Sequence, residues 1–290
     1  MIYENKERYN VEMKIAIIGF GFVGKATLNG LTNDVETLLI DPKLGTSSKE
    51  LKAFNPNFVF VCVPTPMGKN GSIDSNIIFD VIKDIEKYSP NTIAVIKSTI
   101  TPDIVESILE SKINIVYNPE FLRERTADED FINSKMIIFG GTTEYCKKTA
   151  DFYRNYTKCK CNDYQFMPAD KASLLKYTVN SFLATKVLFF NEIHDLFERL
   201  DTNMSWEDFI SVIQLDSRIG KSHMQVPGPD GRYGFGGACF PKDTNALYEF
   251  SKSHGSDLDL LNKAIEKNNS IRSSYQDLDA REKEQNVQFN

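Results

Sequence analysis

A cysteine in a glycine- and proline-rich loop is the strongest chemical signal in the chain. Residues 234–243 read Gly-Phe-Gly-Gly-Ala-Cys-Phe-Pro-Lys-Asp, which places Lys242 and Asp243 shortly after Cys239. A neighbouring cation favours the thiolate, the nucleophilic form of a thiol, and a neighbouring carboxylate can accept a proton or position a water molecule. The pattern therefore predicts covalent catalysis by Cys239 on a rigid loop. The alternative is a buried cysteine in a tight turn.

A second signal lies near the N-terminus, where an apolar run over 14–18 leads into a G-x-G-x-x-G motif and then a helical pattern. Strand, motif and helix in that order form the fingerprint of a dinucleotide-binding fold, with the pyrophosphate at the helix N-terminus. An acid at the end of the next strand is placed to bind the ribose 2′-hydroxyl, which favours NAD over NADP. The alternative is a glycine-rich turn in another α/β domain. The cofactor-binding residues predicted here are Gly19, Gly21, Phe22, Val23, Gly24 and Asp41.

Two pairs of polar residues are spaced four apart, as side chains on one helix face are. Lys176 and Asn180 stand beside apolar residues rather than acids, so they are either solvated or donors to developing negative charge, an oxyanion-hole role. Glu120 and Glu124 are either salt-bridged surface acids or site residues. Because Glu120 directly follows a predicted strand, a site role is favoured for it.

Alternating strands and helices up to about residue 167 must position these residues. The predicted strands cover 14–18, 36–40, 58–63, 92–97, 113–117 and 136–139. The alternation predicts an α/β fold with a Rossmann-like, doubly wound parallel sheet. Ligands bind beyond the carboxyl ends of such strands. We therefore expect three strand-end segments to line one crevice: Pro64-Thr65-Pro66, Ser98-Thr99 and Asn118-Pro119-Glu120.

After residue 168 the pattern becomes helical, with one uninterrupted helix of roughly 30 residues over 169–200. Such a helix would link two domains or pack against its copy in a homodimer. The predicted organisation is an NAD-binding domain over 1–168, an all-α central domain over 169–275 for dimerisation and catalysis, and a polar tail over 276–290, which is expected to be frayed over 281–290.

Composition limits the classes of function. The 290 residues carry a net charge of −6, which gives no reason to expect nucleic acid or an anionic membrane as a partner. No apolar run approaches the roughly 18–20 residues of a membrane span, and the polar first dozen residues do not resemble a signal peptide. Five cysteines do not suggest a disulfide framework, so a cytoplasmic setting is expected. The three scattered histidines do not suggest a metal site.

Taken together, the motifs resemble those of the UDP-glucose/GDP-mannose dehydrogenase family. The resemblance runs from about Lys14 to about Arg272, and the cysteine loop is its most specific part. The motifs that carry it, in family order, are Gly19–Gly24, Val63-Pro64-Thr65-Pro66, Lys97-Ser98-Thr99, Asn-Pro-Glu-Phe-Leu-Arg-Glu over 118–124, Lys176 with Asn180, Asn191-Glu192 and residues 234–243.

The resemblance implies a four-electron oxidation of a sugar C6 alcohol by two molecules of NAD. Cys239 would form a thiohemiacetal and then a thioester, and Lys176 and Asn180 would donate to the oxyanion. Asp243 and Thr99 match the positions that handle water and proton. The implied substrate is a nucleotide sugar, with UDP-glucose favoured and GDP-mannose or a UDP-N-acetylhexosamine as alternatives.

Further roles follow only from the resemblance. Glu124, or alternatively Glu120, would act as acid and base during hydrolysis. Other implied cofactor contacts are Val63, Pro64, Thr65, Ser98, Thr99, Glu124 and Lys242. Implied substrate contacts are Glu120, Phe121, Leu122, Arg123, Lys176, Asn180, Arg218, Tyr233, Phe235, Gly236 and Cys239.

Two departures from the family leave other hypotheses open. Relatives usually continue into a second α/β domain that helps to hold the nucleotide, whereas this chain stops at Asn290, and Arg125 stands where many have Gly or Ser. A two-electron β-hydroxyacid dehydrogenase would share the fingerprint and long helix without needing Cys239. An inactive NAD-binding subunit would bind NAD without turnover.

Overall fold

The computed structural model describes residues 13–200, 203–275 and 277–289, and the chain divides into two compact units. The first contains the chain up to Pro64 together with Asn76–Ser173, and the second contains Thr65–Ser75 and Leu174–Asn290. The unit boundary thus lies a few residues beyond the predicted one, and segment 65–75 groups with the second unit. The polar stretch over 1–12, predicted not to be a signal peptide, lies outside the described residues.

A seven-stranded sheet in the order β2-β1-β3-β4-β5-β6-β7 forms the centre of the first unit. The strands are β1 (Met13–Ile18), β2 (Val35–Ile40), β3 (Phe58–Val61), β4 (Ile93–Ile96), β5 (Asn114–Tyr117), β6 (Ile137–Gly141) and β7 (Tyr164–Met167). The first five pair in parallel, which confirms the predicted Rossmann-like sheet. However, β6 runs antiparallel to β5, so the sheet is mixed rather than wholly parallel. The direction of β6 could not be predicted, because a hydrophobic run in the sequence does not indicate strand direction. Strand β7 was not predicted because it is short and half-exposed and so lacks a hydrophobic run.

Six helices of the described chain accompany this sheet. They are α1 (Phe22–Asn29), α2 (Leu51–Phe54), α3 (Asn76–Tyr88), α4 (Pro102–Leu109), α5 (Ala127–Ile132) and α6 (Thr143–Tyr156). Aromatic rings pack α6 onto the strands: Phe152 lies 4.9 Å from Phe58 between ring centroids, and Tyr153 lies 5.2 Å from Phe139. Tyr153 is only 2% exposed, so this packing carries its hydroxyl into the interior of the unit.

The second unit is helical, as predicted. Its long helix α7 (Ala169–Phe197) begins in the first unit, and α8 (Trp206–Ile213), α9 (Phe240–Ser253), α10 (Asp259–Arg272) and α11 (Ala280–Glu284) follow. Phe235 is 3% exposed and packs with Ala184, Leu188 and Ala264, which holds the glycine-rich loop against α7 and α10. None of the helices in the described part of the chain combines the length and apolarity that crossing a bilayer requires.

The C-terminal segment is ordered where the sequence predicted a frayed end. Asp279 caps α11, since its Oδ1 accepts a hydrogen bond from Glu282 N at 2.7 Å. Glu282 is fully buried and pairs with the buried Arg272 at 2.8 Å, and Val287 is 2% exposed. A polar segment is expected to be solvated unless its charged side chains find buried partners. Here Glu282 has such a partner in Arg272, and the segment is ordered.

Candidate active site

The glycine loop of the first unit lies between β1 and β3, where the order of the strands reverses. Gly19 has φ +90°, and a Cβ atom there would lie 2.6 Å from Cys62 O. A Cβ atom on Gly24 would lie 2.2 Å from Gly19 O, whereas one on Gly21 would have no neighbour within 4 Å. Gly21 is the N-cap of α1 and brings no side-chain cap. The N–H groups of the first turn can therefore bind an anion, and the loop fits a dinucleotide pyrophosphate.

Asp41 is tied to this loop. Its Oδ2 accepts a hydrogen bond from Phe20 N at 2.7 Å, and its Oδ1 accepts one from Lys43 N at 2.8 Å. Each carboxylate oxygen has a second lone pair available for a hydroxyl group. Asp41 thus fixes the loop and still fits the predicted ribose-binding role.

The carboxyl ends of β3, β4 and β5 lie side by side because these strands are neighbours. Ser98 Oγ donates to Val63 O at 2.7 Å, which holds the Ser98-Thr99 segment against the residue directly before Pro64. Pro64 is exposed and Thr99 is half-buried, while Thr65 groups with the second unit. Within the first unit, the segments expected to share one edge of the sheet do so.

Lys97, directly after β4, is a polar centre for which the sequence predicted no role in the site. Its Nζ donates to Asn118 Oδ1 and to the hydroxyl of Tyr153, both at 2.8 Å, and pairs with the carboxylate of Glu120. Burial lowers the pKa of Lys97 to about 7, and Cys62 opposes the shift. The Glu120 carboxylate also favours the charged ammonium. A lysine directly after an apolar strand run was the signal that could have identified it.

The two acids of the Glu-Phe-Leu-Arg-Glu segment lie in different surroundings. The Glu120 side chain is 15% exposed and is held by Lys97. Glu124 begins a 3-10 turn and is exposed. Of the two predicted acid–base candidates, Glu120 is held by the buried Lys97, whereas Glu124 lies on the surface.

Arg123, between these acids, forms a two-pronged contact with Asp130. Its Nε and Nη2 donate to the carboxylate at 3.0 and 2.7 Å. The Arg123 hydrogen bond lowers the pKa of Asp130 and secures the segment to α5. The neighbouring Phe121 and Leu122 are half-buried.

Cys239 lies at the N-cap of α9 in the second unit. The glycine- and proline-rich loop predicted over 234–243 ends at Cys239, since α9 begins at Phe240 and Pro241 suits a first helical turn. Cys239 is exposed, whereas burial raises the pKa of Cys62 to about 12 and that of Cys146 to about 11. The positive end of a helix favours a thiolate. Cys239 is therefore the thiol whose position suits nucleophilic attack, and it does not lie in a buried turn.

A buried chain of polar side chains accompanies Cys239. Lys176 Nζ lies 3.4 Å from Asn180 Oδ1, Asn180 Nδ2 donates to Asp243 Oδ2 at 2.6 Å, and Lys242 Nζ lies 2.6 Å from Asp243 Oδ1. All four side chains belong to residues no more than 7% exposed, so the solvated interpretation of Lys176 and Asn180 is wrong. Burial lowers the pKa of Lys176, while Asp243 and Cys239 oppose the shift. The cluster brings two lysine side chains and one carboxylate together, an arrangement that suits a neighbouring thiolate or oxyanion.

The remaining predicted substrate residues are more dispersed. The Arg218 side chain is 87% exposed and pairs with Asp216 at 2.5 Å. Tyr233 N donates to the hydroxyl of Tyr275 at 3.0 Å. The ring of Phe235 lies in the core, so its contribution is to hold the loop. Lys242, predicted to contact the cofactor, has its ammonium on Asp243.

Two asparagines hold the backbone of the cysteine loop. Gly234 N donates to Asn191 Oδ1, and Phe235 N donates to Asn268 Oδ1, both at 2.7 Å. Asn268 Nδ2 also donates to Phe235 O at 3.0 Å. Asn191 belongs to the Asn191-Glu192 motif, for which the sequence predicted no role. An asparagine such as Asn268, on a helix of mixed polarity, carries no signal that separates it from a solvated one.

Alanine substitutions at Gly21 and Gly24 should separate cofactor binding from folding. We expect Gly24→Ala to lower the thermal midpoint, because its methyl group would meet the Gly19 carbonyl. Gly21→Ala has room, so its unfolding free energy should stay within about 0.5 kcal/mol of the parent while NAD affinity falls about tenfold or more. Thermal unfolding measures the stability of each variant, and calorimetric titration with NAD measures its cofactor affinity. Full NAD affinity in Gly21→Ala would contradict binding over that glycine.

Lys97→Met should reveal the charge state of the buried lysine. The unfolded chain keeps the lysine proton to about pH 10.4, whereas the folded pKa is about 7. Between these values the unfolded state binds more protons, so the unfolding free energy of the parent rises with pH relative to that of the variant. Urea unfolding of the parent and of Lys97→Met from about pH 6.5 to about pH 9 measures this difference in unfolding free energy. A constant difference, like that expected for the exposed control Lys83→Met, would mean that Glu120 keeps the ammonium charged.

Comparisons with known proteins identify the family. Residues 170–270 match the central domain of the UDP-glucose/GDP-mannose dehydrogenase family, and residues 29–157 match its NAD binding domain. The UDP-glucose 6-dehydrogenase of Rickettsia felis is 37% identical over 230 residues, which cover 76% of this chain and 49% of that protein. The UDP-glucose 6-dehydrogenase of Campylobacter jejuni is 31% identical, with 91% of this chain and 73% of that protein covered.

A solved structure gives the same result. A UDP-glucose dehydrogenase from the hyperthermophilic archaeon Pyrobaculum islandicum matches with a TM-score of 0.73 at 26% identity, covering 91% of this chain and 69% of that one. The chain spans about half the length of the Rickettsia felis relative. With both domain models matched in order and the expected motifs on the expected elements, the chain belongs to the UDP-glucose/GDP-mannose dehydrogenase family.

Proposed function

We propose that the chain is an NAD-dependent nucleotide-sugar dehydrogenase that oxidises the C6 alcohol of UDP-glucose to the carboxylate of UDP-glucuronate. The observation that carries the proposal is an exposed Cys239 at the start of α9, electrostatically coupled to the buried Lys176 of the polar cluster. The match to the family's NAD binding domain supports the cofactor, and the names of the relatives support the substrate. GDP-mannose and UDP-N-acetylhexosamines are the alternative substrates.

NAD, when bound by the glycine loop and Asp41, supplies the hydride acceptor for each of two oxidations. After the first oxidation, the Cys239 thiolate adds to the C6 aldehyde, a C–S bond forms and the aldehyde oxygen becomes an oxyanion. Loss of a second hydride from C6 leaves a thioester. Water then breaks the C–S bond, releasing the carboxylate and the thiol. The balance is two NADH per sugar.

The buried cluster would stabilise the charge that develops on oxygen. Lys176 and Asn180 are the donors, and preorganised donors in a dry site stabilise an oxyanion more strongly than water does. Asp243 accepts hydrogen bonds from both Asn180 and Lys242. The first of these fixes the orientation of the Asn180 side-chain amide. Asp243 therefore acts first by positioning Asn180.

Hydrolysis of the thioester requires a group that moves a proton. By family resemblance, Thr99 and one of two glutamates take this role. The geometry favours Glu120, since Lys97 holds its carboxylate while Glu124 is exposed. Lys97 in turn is held by hydrogen bonds to the buried Asn118 and Tyr153, so these core residues fix the position of Glu120 through Lys97.

Counting NADH per UDP-glucose tests the proposed reaction. We expect two NADH per sugar from the parent and no turnover from Cys239→Ala, with NAD affinity unchanged. Cys159→Ala is the control for loss of a thiol and should keep full activity. One NADH per sugar with Cys239→Ala still active would indicate a two-electron dehydrogenase. NAD binding without turnover of any nucleotide sugar would indicate an NAD-binding subunit.

We also propose a homodimer that forms through α7. Phe182, Phe189 and Leu196 are 66%, 56% and 56% exposed, and their spacing of seven residues places them on one face of the helix. A stripe of large exposed apolar side chains on a long helix is typical of a surface covered by a partner. A second copy of α7 presents a matching stripe, as a two-fold interface requires.

Phe189→Asp should convert the dimer into a monomer. The substitution places a charge in the centre of the stripe, where desolvation opposes association. Sedimentation velocity should give about twice the 33.0 kDa chain mass for the parent and the chain mass for the variant. Leu260→Asp, at a residue 75% exposed on α10, is the matched control and should remain dimeric. A parent that sediments only as a monomer would contradict the interface.

A further inference from the structure

The cysteine loop has a third anchor, and it comes from the C-terminal segment. Glu282 Oε1 accepts a hydrogen bond from Gly237 N at 3.0 Å and contacts Arg272 Nη2 at 2.8 Å. Glu282 is 0% exposed and Arg272 is 2% exposed. Arg272 Nη1 contacts Asp230 Oδ2 at 2.6 Å. One buried carboxylate oxygen therefore serves both the loop backbone and a buried guanidinium group.

The packing around Gly236 leaves no room for a side chain. A Cβ atom there would lie 2.2 Å from Arg272 Nη2 and 2.7 Å from Glu282 Oε1. The loop backbone thus lies directly against the ion pair. The same segment holds a second stretch of the unit, because Gln285 O accepts a hydrogen bond from Met67 N at 2.9 Å.

Gly237 is two residues before Cys239, so Glu282 is the anchor nearest to the thiol on its N-terminal side. The two asparagine anchors act on Gly234 and Phe235, farther from the thiol. How the chain enters α9 sets where the thiol lies relative to the helix end and to Lys176. Stability alone is a weak reason for such a pair, since buried ion pairs often contribute no more than well-packed apolar groups.

We propose that Glu282 is a positioning residue for Cys239, acting through the amide of Gly237 and the guanidinium of Arg272. The inference rests on the proposed function in treating Cys239 as the nucleophile. Its chemical content is independent of substrate: the Glu282 carboxylate keeps the thiol at the positive end of α9, where the thiolate is favoured.

The test measures alkylation of Cys239 by iodoacetamide at neutral pH, located by peptide mass spectrometry. Since Cys239 is already exposed, the rate reports the thiolate fraction rather than access to the thiol. Glu282→Ala should slow alkylation about fivefold or more and lower kcat about tenfold, with the KM for NAD unchanged. Glu282→Asp keeps the charge near Arg272 but withdraws the acceptor from Gly237, so it should slow alkylation as well.

Two variants separate positioning from a purely structural role. Glu282→Gln keeps an acceptor for Gly237 N, so its alkylation rate should stay within about twofold of the parent even if the thermal midpoint falls. Glu284→Gln, on the exposed side of α11, should change neither the alkylation rate of Cys239 nor the thermal midpoint. If Glu282→Ala and Glu282→Asp lower the midpoint while Cys239 alkylation is unchanged or faster, the proposal is overturned. Because alkylation needs no substrate, failure of the proposed oxidation would leave this result interpretable.

Discussion

The hydrogen bond from Asn180 to Asp243 is the interaction on which the arrangement of the second unit depends. It is 2.6 Å long and joins α7 to α9, the helix that begins after the cysteine. Asp243 is 1% exposed, and an ionised carboxylate at that depth is stable only with partners, here Asn180 and Lys242. Removing one partner from a buried charge costs about 3–5 kcal/mol, so the positions of these residues are mutually dependent. Lys176 then adds the positive charge that an oxyanion would balance.

Both units contain a loop that leads into a helix and is held by a carboxylate from another segment of the chain. In the first, neutral backbone N–H groups at the start of α1 face the space that Gly21 leaves clear, which suits a diphosphate. In the second, the start of α9 carries a thiol. Each helix end is held by side-chain acceptors on the preceding loop backbone: Asp41 on Phe20 in one case, and Glu282 on Gly237 in the other. In both, a carboxylate from another segment of the chain holds the loop backbone: Asp41 is half-buried and Glu282 is fully buried.

The sequence revealed the features whose signals are local. The glycine fingerprint and the long helix each lie within one continuous segment, and the structure confirms the elements on which they were placed. The cysteine motif is also continuous, but its residues 240–243 belong to α9 rather than to the predicted loop. The direction of β6 and the existence of β7 depend on pairing between distant segments, which periodicity does not report. Lys97 and Glu282 were missed for a related reason, since a buried charge resembles a solvated one until its partner is known. For Glu282 that partner is Arg272, on a different helix.

The proposed reaction requires that Cys239 become covalently bonded to the substrate carbon. Rapid acid quenching of the protein with NAD and UDP-glucose, followed by peptide mass spectrometry, tests it directly. Glu120→Gln should accumulate the intermediate, because its amide can still contact Lys97 but cannot accept the proton from water. We expect an acyl adduct on the peptide that contains Cys239, and none in Cys239→Ala. Steady formation of two NADH per sugar with Cys239 unmodified at every quench time would contradict the account.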